Sequence, residues 1–209
     1  MTGNPLDFRP ALIIAEPLPH IYMKQSFILI FIVFSVHLQA QQTEKYLELL
    51  KGLEKLEVTR DTTKYNDGQI ARTIEQTSYK YKSETYTVLT GKSVGYFKNG
   101  IVSNVSLQDD YGSFLSNKFY TKSGELKREW ITTEIDANEK SPEEFIKSHG
   151  SGNFKRIINF YKYSKKLGKR YTYKKVYRSL TDNIIGGKIE YLDIYGQVKR
   201  TKIINRDGK

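Results

Sequence analysis

Four times this chain runs through aromatic or apolar residues, meets a tight glycine turn, and resumes with an aliphatic residue among polar ones. The segments are Tyr65-Asn66-Asp67-Gly68-Gln69-Ile70, Tyr96-Phe97-Lys98-Asn99-Gly100-Ile101, Tyr120-Thr121-Lys122-Ser123-Gly124-Glu125 and Asp193-Ile194-Tyr195-Gly196-Gln197-Val198. A turn of this kind reverses the backbone so sharply that its flanks can only pair as antiparallel strands. Asp-Gly and Asn-Gly suit a two-residue type I′ turn, because both central positions need positive φ. That turn sets Tyr65 opposite Ile70, Phe97 opposite Val102 and Lys122 opposite Glu125. For the last copy, a type II′ turn at Gly196-Gln197 pairs Tyr195 with Val198 and Asp193 with Arg200.

The flanks alternate as strands do. Thr77–Leu89 carries Tyr79 and Tyr81 on one parity and Tyr86 and Val88 on the other, so a turn or bulge is expected near Lys82–Glu84. Arg170–Arg178 places Tyr171, Tyr173 and Tyr177 on one face. Two helices interrupt. Over Thr43–Glu57, Tyr46, Leu49, Leu50, Leu53 and Leu56 recur at helical spacing, with Gly52 as a weak point. Ser141-Pro142-Glu143-Glu144 carries a Ser cap, Pro at the first helical position and Glu at the third, which starts a helix over 142–148. The expected fold is mainly β: an antiparallel meander of repeated β-hairpins with an N-terminal amphipathic helix and one short inserted helix.

Gly100 and Gly124 lie 24 residues apart, and Gly124 and Gly196 lie 72 apart, as in a repeat of one hairpin per unit. The motif Tyr-x-x-(Asn/Asp/Ser)-Gly-x-aliphatic resembles the MORN-type repeats of bacterial proteins classed with the YwqK-type antitoxins, over Tyr65–Arg128 and Tyr191–Asn205. The Gly-x-Trp/Phe element between copies is mostly missing, with Gly95-Tyr96 and Gly112-Ser113-Phe114 closest. The resemblance implies a sheet built from hairpins and a non-catalytic binding role.

A second constraint lies at the start. Met23-Lys24, the apolar Phe27–Val36 and the small Ala40 follow the order of a secretory signal peptide. The apolar stretch is short of the roughly 20 residues that span a bilayer. Residues 1–22, which hold four of the five prolines, are expected to be an upstream extension outside the fold. Residues 23–40 would be the signal peptide and residues 41–209 a single β-rich domain, periplasmic or secreted, with no transmembrane span. The first 40 residues carry two cations and two acids, so the exported part keeps the whole net charge of +11. The chain has no cysteine, which excludes disulfides, thiolate metal sites and a lipidated cysteine anchor.

Catalytic constellations are scarce. After residue 40 the sole histidine is His149. It sits beside Lys147 at a helix end, a surface position. Asp109-Asp110 reads as a turn and Glu143-Glu144 as helix-capping acids. Gly150-Ser151-Gly152 lacks the strand and remaining glycines of a dinucleotide fingerprint. No cofactor or metal is expected.

The chemistry that stands out is basic and aromatic. Phe154–Arg178 holds ten Lys and Arg residues and no acid, interleaved with seven Phe and Tyr residues. Its expected hairpin tip groups Lys165, Lys166, Lys169 and Arg170, with Tyr163 and Tyr171 on the flanks. Export directs such a surface toward an acidic envelope component, lipopolysaccharide or an acidic glycan, rather than toward nucleic acid. The plainer reading is a solvated hairpin whose lysines block edge pairing. Three classes therefore stand. One is an exported non-enzymatic β-repeat protein with a binding or structural role toward an unknown protein or envelope component. The second is a polyanion binder through the basic-aromatic hairpin. The third is an envelope enzyme with an unrecognised carboxylate site.

Overall fold

In the computed structural model the described residues are 42–148, 153–181 and 184–204. The upstream extension 1–22, the signal segment 23–40, the start at Gln41, His149 and Gly150–Gly152 fall outside them. Ten strands form one antiparallel sheet in sequence order. They are β1 (Glu54–Lys64), β2 (Ile70–Tyr81), β3 (Glu84–Tyr96), β4 (Val102–Gln108), β5 (Phe114–Tyr120), β6 (Leu126–Asp136), β7 (Asn153–Ser164), β8 (Lys169–Thr181), β9 (Ile184–Leu192) and β10 (Val198–Ile204). Helix α1 (Glu44–Leu50) precedes them and α2 (Pro142–Lys147) lies between β6 and β7. The meander of hairpins and the inserted helix are as expected.

The turns differ in kind from the expectation. Gly68, Gly100, Gly124 and Gly196 each donate to the carbonyl three residues back, and that earlier residue donates its N–H to the residue after the glycine. This is a three-residue loop, a type I turn closed by a G1 bulge. Gly100 has φ +79°, and Lys82 is the one non-glycine with positive φ among the described residues, so Asp67, Asn99 and Ser123 are not in the type I′ conformation. The first three registers therefore move by one: Tyr65 faces Gln69, Phe97 faces Ile101 and Thr121 faces Glu125. The last moves by three: Asp193 faces Gln197 rather than Arg200, and Val198 faces Leu192 rather than Tyr195. The three-residue loop needs only one left-handed residue, which glycine supplies without steric cost. The change of strand parity between Tyr81 and Tyr86 is resolved by a two-residue turn at Lys82-Ser83, with Tyr81 opposite Glu84 and Tyr79 opposite Tyr86.

A fifth copy of the G1 turn sits at Asp109–Ser113, halfway between Gly100 and Gly124 and at the opposite end of the sheet. β4 and β5 are each seven residues long. A five-residue turn segment between such strands yields the twelve-residue half period, doubled in the 24-residue spacing. The longer strands elsewhere break the repeat.

The N-terminal helix ends earlier than its leucine spacing suggests. It stops at Leu50, with Lys51 as C-cap, and Leu56 lies in β1, 47% exposed. Leu53 packs against the core from the connecting turn. A Lys51-Gly52 turn stops propagation, and spacings of three and four over so short a run fit a helix followed by a strand equally well. Thr43 caps α1 and Ser141 caps α2, each side chain accepting the N–H three residues on.

Both helices pack over one end of one sheet face. Tyr46, Leu50, Ile135, Ala137 and Phe145 form the buried apolar cluster, with Leu49, Leu53, Tyr111, Leu115 and Ile146 against it. Full burial of each large member is worth about 1.5–3 kcal/mol. Elsewhere the buried positions of the sheet are mostly polar: Thr77, Thr90, Ser93, Ser106, Asn117 and Thr132. The Thr77 and Thr90 hydroxyls bond each other at 2.7 Å.

Asp109 joins turn to helix. Its Oδ1 accepts the N–H groups of Tyr111 at 3.0 Å and Ser113 at 2.8 Å. Its Oδ2 accepts Tyr46 Oη at 2.7 Å and Gln42 Nε2 at 2.8 Å. Asp193 closes its own turn in the same way, accepting Tyr195 and Gln197 N–H groups at 2.9 Å. Burial raises the Asp109 pKa above the ordinary aspartate value, although its hydrogen bonds oppose this. Backbone donors, with little burial against them, lower that of Asp193.

Two outcomes follow. The two turn aspartates should titrate on opposite sides of about 3.9, the ordinary aspartate pKa, which carboxyl carbon NMR would resolve. By linkage, Asp193 stabilises the fold above the unfolded value and loses that contribution as pH falls through its folded value. Asp109 behaves oppositely: the fold favours its protonated form, and that contribution is lost as pH rises through its folded value. Replacing Gly100 by Val should lower stability by about 1–2 kcal/mol, because a Cβ there disfavours the left-handed conformation. Denaturant midpoints would measure the loss.

Candidate functional site: a face of cations and rings

Antiparallel register builds a row of side chains that crosses six strands. Directly opposite residues share a face, and successive pairs link Phe119 to Arg128, Arg128 to Phe160, Phe160 to Lys174, Lys174 to Tyr191 and Tyr191 to Arg200. The row runs ring, cation, ring, cation, ring, cation from β5 to β10. The Arg128 guanidinium lies 4.2 Å from the Phe119 ring centre and 6.0 Å from that of Phe160. Lys174 Nζ lies 4.0 Å over Phe160, and Arg200 lies 5.8 Å over Tyr191. Such contacts contribute about 0.5–1 kcal/mol each at exposed sites and more when dry.

A second row runs beside it. Arg156 lies directly opposite Arg178 and stacks between Trp130 at 5.1 Å and Phe154 at 4.4 Å. Its Nε donates to Thr132 at 3.3 Å. Like charges directly opposite oppose folding. Burial first, and then the Arg178 charge, lower the Arg156 pKa from the usual arginine value. Ile135 lies opposite Phe154, so α1 and α2 cover one end of this same face.

The acids go to the other side. Glu129 pairs in register with Asn159, Glu134 with Lys155 and Glu190 with Lys175, all at the alternate parity. There Lys155 meets Glu134 at 2.7 Å and Lys188 meets Glu190 at 2.6 Å. Tyr161 donates to Glu129, which also accepts Asn159 Nδ2 at 3.0 Å. Burial and the Glu129 hydrogen bond push the Tyr161 pKa up to about 12. Among the described residues, Arg128, Arg156, Lys174 and Arg178 have no carboxylate within ion-pair distance.

At the β3–β6 end of the first row a cavity of about 330 Å³ opens, lined by Phe97, Ser103, Asn104, Phe119, Tyr120, Lys127, Arg128 and Phe160. It brings one guanidinium, an amide and four rings together. A cavity of about 250 Å³ elsewhere is lined by Gln76, Thr87, Gln108, Tyr111 and Phe114 among others.

The six sequence-chosen residues fall at the β7–β8 hairpin, but on both faces. Lys165 and Lys166 are exposed in the loop and Lys169 opens β8. Tyr171 lies opposite Lys162, whose ammonium sits 5.6 Å over its ring. Tyr163, 55% exposed, lies opposite Arg170 on the other face. Arg170 is drawn away from the tip to Glu125 at 2.7 Å, in the neighbouring turn. Lys166 rests 5.5 Å over Tyr195 of the next hairpin. The sequence reading did not single out Tyr191 and Arg200, which lie downstream of the basic segment and join it through the β8–β9 and β9–β10 registers. It also missed Phe119, Arg128 and Trp130. They lie upstream of the basic segment, and only the β6–β7 register joins them to it.

No protein-family model matches the chain, and no curated protein matches it. Among solved structures, a porin-like protein from Bacteroides uniformis ATCC 8492 is similar at 10% identity and a TM-score of 0.22, over 69% of this chain and 60% of that one. The chain thus spans less than two thirds of that protein. No helix among the described residues is long and apolar enough to cross a membrane.

Replacing Glu129 by Gln should bring the Tyr161 pKa down from about 12 toward the ordinary tyrosine value, because the neighbouring negative charge is removed while burial remains. Ultraviolet titration of the phenolate, compared between parent and variant, would read the change.

Proposed function

We propose that this protein is an exported, non-enzymatic β-repeat protein that binds an acidic component of the cell envelope. The observation that carries this is the segregation of acids: Arg128, Arg156, Lys174 and Arg178 share one face with rings, and Glu129, Glu134 and Glu190 lie on the other. Folding alone gives no reason to place Arg156 opposite Arg178 with no acid beside them, since that pair opposes folding. An arriving anion would relieve the repulsion. A guanidinium lying flat on a ring still presents its N–H edge to a carboxylate or phosphate. The signal-peptide order at Met23–Ala40 supplies the compartment.

Binding is favoured over catalysis by the state of the buried acid. All four hydrogen bonds of the Asp109 carboxylate go to the chain itself, to Tyr46, Gln42, Tyr111 and Ser113, which suits a joint rather than an acid or base. The exposed tip lysines, Lys165, Lys166 and Lys169, would act as an outlying electrostatic attraction, with Tyr171 between tip and face.

The test is binding of purified protein to envelope extracts and to isolated acidic polymers. Parent protein should bind at low salt and weaken as the screening length shortens toward about 8 Å at physiological ionic strength. Changing Arg156 and Arg178 together to Gln should reduce binding about tenfold or more. Equal binding by this variant, or no binding at low salt, would overturn the reading.

A further inference from the structure

Resting on that reading, we infer that the ligand is a linear acidic glycan bearing one anionic group on every second sugar. It lies across the strands along the first row, with one end in the Arg128 cavity. Cations in this row stand on β6, β8 and β10, separated each time by a strand that contributes a ring. Neighbouring strands lie about 4.8 Å apart, so successive cations stand about 9.6 Å apart along the row. A polysaccharide with an uronate on alternate sugars presents its charges at a disaccharide repeat, which is a spacing of that order. The neutral sugar between two charges then falls over the intervening strand, β7 or β9.

The cavity suits one end of such a chain. Arg128 can meet the carboxylate, while Asn104 and Ser103 offer polar groups to hydroxyls. Phe97 and Tyr120 line it as well, and among the described residues no cation is stacked on either ring, so both are available to the apolar face of a sugar. A lipid surface would make different demands. Its headgroups impose no alternation along a line. A single-stranded nucleic acid carries a charge on every unit, a denser pattern than alternate strands provide.

The experiment compares hyaluronan oligosaccharides, which carry one carboxylate per disaccharide, with oligogalacturonates carrying the same number of carboxylates on consecutive sugars. Titration calorimetry at fixed low salt should show the hyaluronan series binding about tenfold tighter, even though simple electrostatic attraction favours the denser polymer. Replacing Lys174 and Arg200 by Ser should erase that preference. A variant with Lys165, Lys166 and Lys169 changed to Ser should keep the preference even if overall affinity falls. Circular dichroism of each variant confirms that the sheet is intact. If the galacturonates bind as well or better, the spacing inference falls while the acidic-component reading stands. If neither series binds but anionic lipid vesicles or single-stranded DNA do, the glycan is excluded and the ligand belongs to that class. If nothing acidic binds, both readings fall.

Discussion

Cross-strand register is the constraint on which this molecule depends. A sheet with one small apolar cluster cannot rely on a thick core for specificity. The alignment of each strand with its neighbour decides which side chains meet, and a slip by a single residue would send every cation to the wrong face. The alignment is fixed at the turns. Where the first turn residue is Asp, its carboxylate holds two N–H groups, as at Asp109 and Asp193. Where it is Tyr or Phe, an Asp or Asn two residues on does part of the same work: Asp67 accepts from Gln69 and Asn99 from Ile101. Where it is Thr, as at Thr121, its hydroxyl accepts the Glu125 N–H at 3.1 Å. Three local chemistries thus give one geometry.

The fold was largely legible because its determinants are local. Glycine position, period-two alternation and the Ser-Pro-Glu-Glu start of α2 are each written within a few residues. What failed were distinctions too fine for local pattern. Asp-Gly and Asn-Gly serve a two-residue loop, but they serve the last two positions of a three-residue loop as well. Tyr or Thr before the turn does not separate the two. The leucines of 43–57 satisfied a helical spacing that the chain abandons at Lys51-Gly52, since Leu56 also fits the strand it occupies.

The candidate site was half legible. A run rich in Lys, Arg and aromatics marked β7 and β8, and both strands do contribute to the face. Composition within a run gives no parity across a bulge, however. The extra residue Tyr173, between the Phe160–Lys174 and Tyr161–Thr172 pairs, shifts the strand so that Tyr171 and Tyr173 no longer stand with Tyr177. Arg170 could not be assigned because its partner, Glu125, is 45 residues earlier in sequence. Phe119, Arg128 and Trp130 stand in β5 and β6, where nothing in the local sequence distinguishes them from ordinary strand residues.

The open ends of the meander have a consequence for self-association. β1 and β10 each pair with one neighbour, and every residue of β1 is exposed, as is β10 from Val198 to Ile203. An unpaired strand with its polar backbone bare is a template onto which another copy can add. β10 meets that hazard with Lys199, Arg200 and Lys202 and no acid, so two such strands repel on approach. The residue that completes the ring-and-cation row, Arg200, is therefore also one of the charges that keep two β10 edges from pairing with each other.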